Sequence, residues 1–442
     1  MWTKIKEMFH DLKSFSWNLF IALCLLALAP AIYETIRTLL VSSTISTEAI
    51  DIIGEMEWFD LINETLIAFL IIPLYSIFNK IYHHDKEHFA QFVFKIGLLV
   101  WGIYSIFQII VLIYGHSLVS FMNPEEIDIE IVTNYLRIET TAFMIGIIAS
   151  FVNVVFVVVG KSRNMYIFLV LSSALMTIGD FALVPNFGVY GVAYSNILTN
   201  SIMAIAGIFV LYFEKLINFS KFHKDDLPLL KTWAQTGLFS GGQSFLDNTV
   251  YMLMIVKMIN MVSEQGNYWV ANNFIWGWLL IPITALSEII KRDCKDGYFN
   301  MKHENYYLIT IFVILLWGVT IPLWPLFFKH VEQLKNYEEI FSITLKLVPF
   351  YIAFAIGSIH NNTFIGLGKT YYNAISSFII NVVYYGLFFI FYITGILKMN
   401  IDVIILMFGF GMVTHMIISF IEEAIMKKKL LKEEDSCIKE NL

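Results

Sequence analysis

Two acidic side chains sit inside stretches otherwise made of apolar residues. Glu34 lies in the run 15–41, and Asp247, 213 positions later, lies in the run 232–261. A carboxylate is expensive at membrane depth unless it lines water or pairs, so each is a candidate to bind a proton or Na⁺ in exchange for a positively charged molecule. For Glu34 the structural alternative is an ion pair with Arg37, one helical turn on. Asn63 and Glu64 form a second polar pair, mirrored 209 positions later by Asn272 and Asn273. His360 and His415 are lone histidines among apolar neighbours, either proton relays or, as such residues more often are, packing residues that satisfy a hydrogen bond. Arg37 and Arg137 are either counter-ions to the acids or side chains reaching for an interface.

Such groups need elements that cross a bilayer. The chain has 442 residues, 58% hydrophobic and only 15% charged, with a mean hydropathy of +0.69. A water-soluble domain carries about 25% charged residues and could not keep this much apolar surface from water. Blocks of about 20–25 apolar residues recur, each long enough to cross a hydrocarbon core of about 30 Å as a helix. They predict an all-α membrane protein with twelve spans, at 15–41, 56–78, 89–114, 137–159, 165–184, 189–213, 232–261, 268–289, 306–328, 341–366, 371–394 and 402–426. Pro30, Pro73 and Pro282 mark expected kinks.

Lysine and arginine set the orientation. With the N-terminus inside, the cytoplasmic segments carry Lys4, Lys6 and Lys13, the linker lysines Lys215, Lys221, Lys224 and Lys231, Lys291 with Arg292, Lys295 and Lys302, and the tail lysines from Lys427 on. The outside loops hold only Lys329, Lys335 and Lys398, so both termini are expected in the cytoplasm of a cell, that is inner, membrane. The N-terminal segment lacks a cleavage site and reads as the start of a retained helix.

The chain repeats itself. Leu70-Ile71-Ile72-Pro73 matches Leu279-Leu280-Ile281-Pro282, Gly160-Lys161-Ser162 matches Gly368-Lys369-Thr370, and Glu125-Glu126 matches Glu338-Glu339, all at offsets near 210. The expected organisation is a six-helix lobe at 1–213, a cytoplasmic linker at 214–231, a second six-helix lobe at 232–426 and a basic then acidic tail at 427–442. The two pseudo-symmetric lobes would face a central cavity, a plan suited to alternating access.

Several classes of function are excluded. A net charge of −7 gives no basis for nucleic-acid binding. Cys24, Cys294 and Cys437 are odd in number and far apart, with neither disulfide nor zinc spacing. Gly160-Lys161-Ser162 lacks the upstream glycine of a phosphate-binding loop, and no soluble insert could house an active site, so the protein is not read as an enzyme. No cofactor is expected beyond a coupling ion.

The order Asn123-Pro124-Glu125-Glu126, Asn134-Tyr135-Leu136-Arg137-Ile138, Gly160-Lys161-Ser162-Arg163, Thr177-Ile178-Gly179-Asp180 and Gly188-Val189-Tyr190-Gly191-Val192-Ala193 resembles the first lobe of multidrug and toxic compound extrusion (MATE) transporters. Gly366-Leu367-Gly368-Lys369-Thr370 is similar to the second lobe. The likeness extends to the polysaccharide and lipid-linked oligosaccharide flippases of the same superfamily. It implies Na⁺- or H⁺-coupled antiport of a small organic, cationic substrate by a monomer in membrane lipid. It also implies that Glu34 and Asp247 face the cavity, and that Asp180 and Thr199 together offer oxygen ligands to a hard cation. A helix-end cap before Pro185 is the plain alternative for Asp180. Ile36-Arg37-Thr38-Leu39-Leu40 stands where bacterial members often carry an aspartate near the end of span one, Met176 stands where many have asparagine, and the span-ten acid of some members is missing, with His360, Asn361 and Asn362 as the nearby polar group. Asn361 is therefore included among the candidate ligands. A flippase is the second expectation: its cavity would need positive charge for a pyrophosphate, for which Arg37, Lys95, Arg137, Lys257 and Lys346 are available.

Overall fold

The structure, a computed structural model, describes residues 15–46, 48–123, 128–220, 226–294 and 297–440. Pro124, Glu125, Glu126, the lysines Lys4, Lys6, Lys13, Lys221, Lys224 and Lys295, and the side chain of Cys437 lie outside what is described. Among the described residues there is no strand. Twelve helical rods run in chain order, and the ranges below number them one to twelve.

Ten are long and apolar enough to cross a membrane: helix one Trp17–Thr44, two Ala49–Tyr82, three Lys86–Met122, four Ile129–Val158, five Arg163–Phe187, six Val189–Phe213, nine His303–Val331, ten Tyr337–Gly366, eleven Tyr371–Ile393 and twelve Ile401–Lys432. Helix eight is a bent pair, Gln265–Leu279 with Ile281–Asp293, meeting at 52°. Helix seven is Leu227–Tyr251, a π-helical turn Met252–Val256 and Lys257–Met261. It is helical where the sequence predicts a span, but its serines, threonines, glutamine and glycines leave it too polar to meet the same standard.

The proline breaks explain two tryptophans. Pro73 cannot donate a backbone hydrogen bond, and the helix restarts at Ile72 with Leu74 N bonded to Ile71 O. The Leu70 carbonyl, left without its helical partner, accepts from Trp233 Nε1 at 2.9 Å. At the matching break before Pro282, the Leu279 carbonyl accepts from Trp317 Nε1, also at 2.9 Å. In lipid a freed carbonyl must find a donor from a neighbouring helix, and an indole provides one at little polar cost.

Packing divides the chain into two compact units. Unit one comprises Met1–Leu28, Val270–Phe328 and Asn336–Leu442; unit two comprises Ala29–Trp269 and Lys329–Lys335. Helix one changes unit at Ala29, next to its internal Pro30. Within unit two, helix seven lies against helix two. A Cβ on Gly237 would stand 2.4 Å from the Phe69 carbonyl, so only glycine permits this approach. Ser240 Oγ donates to Ala68 O at 2.8 Å and Asn248 Nδ2 to Leu61 O at 3.1 Å along the same seam. At the other end, Lys95 donates to Asp226 at 2.8 Å with both side chains almost fully buried, fixing the start of helix seven to helix three.

Candidate functional site

Unit two carries a buried polar cluster built by four helices. Helix one supplies Tyr33 and Arg37, helix four Glu139, helix five Asp180 and helix six Asn196. Gly191 allows the last two to meet: a Cβ there would lie 2.6 Å from the backbone of Leu183, so helix six can press on helix five only without a side chain. Ser195 Oγ then donates to Met176 O at 3.1 Å, and Asn200 Nδ2 ties helix six to helix four through Ala142 O at 2.9 Å.

Arg37 is the centre of the cluster. Its Nε donates to Asp180 Oδ2 at 2.8 Å, and its Nη2 to Asp180 Oδ1 at 3.3 Å and Asn196 Oδ1 at 2.7 Å. Its guanidinium carbon lies 4.7 Å from the centre of the Tyr33 ring. Asn196 passes the network on, donating to Glu139 Oε1 at 2.8 Å, while Glu139 Oε2 is buried with no hydrogen-bond partner. Both oxygens of Asp180, fully buried, are thus engaged by an arginine of the chain itself. Thr199 is fully buried with its hydroxyl unpartnered.

A row of acids borders this cluster. Glu57, Asp60 and Glu64 follow one another at intervals of three and four on helix two, which places them on one helical face. Asp60 lies within electrostatic reach of Glu57, Glu64, Glu139 and Glu34, and Glu34 within reach of Arg37 and Asp180. Asp60 and Glu64 are exposed on the protein, and Glu57 and Glu34 are half-buried. Helix seven reaches the same row: Tyr251 neighbours Glu57, Asn248 neighbours Glu64 while donating to Leu61 O and Thr65 Oγ1, and the half-buried Asp247 precedes Asn248. Glu57, Asp60 and Glu139 were not among the sequence candidates. The signal that could have found the first two is the three-and-four spacing of Glu57, Asp60 and Glu64 on helix two.

The cations that a pyrophosphate would need are engaged elsewhere. Lys346 pairs with Asp402 at 2.5 Å, Lys257 sits 3.2 Å from the centre of the Phe121 ring, and Arg137 donates to Asn134 at 3.3 Å.

The asparagines take structural positions. Asn63 is buried, accepts from Tyr104 at 2.5 Å and Gln108 at 2.6 Å, and donates to Phe59 O at 2.8 Å. In unit one, Asn272 accepts from Tyr351 at 2.5 Å, and the Tyr351 hydroxyl accepts from Trp276 at 3.1 Å. Asn273 is half-buried beside it. Asn361 accepts from Ser419 at 2.9 Å, and its carbonyl accepts from Asn373 at 3.1 Å, holding helix ten to helices twelve and eleven.

This arrangement of helices recurs in known structures. An inward-facing multidrug resistance MATE family transporter of the MOP superfamily matches with a TM-score of 0.75 at 16% identity, over 94% of this chain and 99% of that one. The chain has the MATE fold. An outward-facing MATE family transporter of the same superfamily matches at 0.66 and 17% identity, over 94% and 95%. A MOP superfamily transporter from Pyrococcus furiosus Vc1, described as having a binding pocket of reverse polarity, matches at 0.67 and 16%, over 92% and 95%. No protein-family model matches the sequence, and no curated protein matches it. Within the MATE fold, the twelve helices here correspond to the twelve predicted spans, so the element order read from hydropathy holds along the chain.

Proposed function

We propose that the protein is a secondary transporter that exports small organic cations by alternating access, coupled to Na⁺ or H⁺. The observation that carries this reading is the sign of the polar residues in unit two. Glu34, Glu57, Glu64 and Glu139 each lie within electrostatic reach of Asp60, and the cation near Glu34 and Glu139, Arg37, is held by Asp180. A row of carboxylates opposed by no free arginine attracts a cation and repels a pyrophosphate. The fold supports the transport class, since the similar structures are transporters in inward- and outward-facing forms. A lipid-linked oligosaccharide flippase is the weaker reading because Arg137, Lys257 and Lys346 each have a partner within the chain, Asn134, Phe121 and Asp402. Site residues would be Glu34, Asp60, Glu64 and Glu139, with Asp247 on the adjoining helix.

Loss of charge at a carboxylate that a cation and its coupling ion share weakens both together, because coupling is reciprocal. Ethidium efflux measured in everted vesicles under separate Na⁺ and H⁺ gradients tests this. Asp60→Asn and Glu139→Gln should each reduce gradient-driven efflux by about tenfold, the effect of about 1.4 kcal/mol. Efflux that ignores both gradients, or both substitutions, removes the proposal.

A further inference from the structure

Unit one holds a second, separate group of titratable side chains at the end of its helices that carries Lys291, Arg292 and Lys302, the predicted cytoplasmic end. His360 of helix ten is fully buried and packs against the Phe420 ring at 4.2 Å between centres. Its Nδ1 lies 2.7 Å from Glu423 Oε2 on helix twelve, an ion-pair contact that is not aligned as a hydrogen bond. Its Nε2 lies 3.1 Å from the Tyr307 hydroxyl on helix nine. The other carboxylate oxygen of Glu423 accepts from the Tyr298 hydroxyl at 3.0 Å. Tyr298 belongs to the loop between helices eight and nine, and its carbonyl lies 3.2 Å from His303 Nε2.

We propose that His360 and Glu423, with Tyr307 and Tyr298, form a proton-binding site of the second half of the chain. The argument is one of partners. A tyrosine hydroxyl both donates and accepts, so Tyr307 can donate to a neutral His360 Nε2 or accept from a protonated one with no heavy atom moving. Glu423 opposes the imidazolium when the proton is bound. When the proton leaves, Tyr298 still donates to the carboxylate, so neither state strands a buried charge. A histidine kept only for packing needs one partner; this one has a group suited to each protonation state on each ring nitrogen. Among the described residues the surrounding charged groups are few. His303 stands with its ring 4.6 Å from that of Tyr298, Asp293 of helix eight is engaged by Tyr306 at 2.9 Å and by Arg292 at 2.6 Å, and Glu422 adjoins Glu423 with both oxygens buried and unpartnered. Half-buried His303 and the loop at Tyr298 give the proton a route from the aqueous end.

The proposal is independent of the acidic row in unit two, and its test needs no transport. Nitrogen-15 spectra of the full chain, labelled at histidine and held in lipid nanodiscs, report each imidazole directly. The His360 signal, identified by its loss in His360→Gln, is followed from about pH 5 to about pH 8 and should show both the neutral and the charged imidazole. Glu423→Gln should move its midpoint toward acid by roughly one pH unit, and the milder Tyr307→Phe should move it in the same sense by less. An unchanged signal from His415, which lies outside the group, would show that the variants keep their fold. A His360 signal that does not titrate in that range, or a midpoint indifferent to Glu423→Gln in a folded variant, overturns the proposal.

Discussion

Arg37 shows how one side chain changes what its neighbours can do. Asp180 is buried to the point of having no exposed surface, and the arginine that meets it comes from a residue 143 positions away. Removing the arginine alone leaves a bare buried carboxylate, which costs about 3–5 kcal/mol, whereas replacing both members with apolar residues of similar size costs far less. Arg37→Met should therefore lower the melting temperature of the detergent-solubilised protein sharply, and Arg37→Met with Asp180→Leu should recover most of it. A double variant as unstable as the single one would show that Asn196 and Glu139, rather than the ion pair, set the stability of the cluster. Hydropathy exposes each of Arg37, Glu34 and Asp180 as an oddity inside an apolar run, so the members were legible in the sequence. Their pairing was not: intervals along one helix suggested Glu34 as the partner of Arg37, and the choice is made by the approach of helix five, which no local spacing encodes.

At the scale of elements, two features are open to test. The seam between helices two and seven depends on Gly237, where the obstacle to a side chain is a backbone carbonyl that cannot rotate away. Gly237→Ala should cost roughly 1–3 kcal/mol by overpacking, read as a loss of thermal stability in detergent, while Gly242→Ala, which meets nothing, should cost much less. The second feature is the last turn of helix nine with the loop that follows it. Residues Lys329–Lys335 pack with unit two, where Ser42 Oγ donates to the Glu332 carbonyl at 2.6 Å. The Glu332 side chain is buried with Oε2 unpartnered, and burial pushes its carboxyl up from 4.5 to about 8. A carboxyl that holds its proton when packed and loses it when free favours the packed loop most below pH 4.5. That advantage falls as pH rises from 4.5 to about 8 and then stays constant, by up to about 5 kcal/mol in all. Hydrogen exchange at 329–335 should accelerate across that window beyond its intrinsic pH dependence, and Glu332→Gln should remove the excess. The kinks at Pro73 and Pro282 were legible from proline alone. The indoles of Trp233 and Trp317 that complete them were not, because each comes from a different helix and an indole in an apolar run looks like any other packing group.

For the whole molecule, composition and the spacing of apolar blocks were enough to foresee an all-helical chain with twelve rods in the observed order. What they overstated is uniformity: helix seven carries polar residues that meet helix two on one side, Ser240 and Asn248 among them, and large apolar residues such as Leu238, Phe239 and Phe245 that stay exposed, while helix eight is bent. The functional reading turns on charge, since Glu34, Glu57, Asp60, Glu64 and Glu139 form one acidic row while the free-standing arginine and lysines are drawn off to partners. Tetraphenylphosphonium and tetraphenylborate have nearly the same size and shape and opposite charge, so their binding to the purified protein isolates that sign. The account predicts that the phosphonium binds and that Asp60→Asn weakens it by about tenfold, about 1.4 kcal/mol, with little binding of the borate. Tighter binding of the borate than of the phosphonium would contradict it.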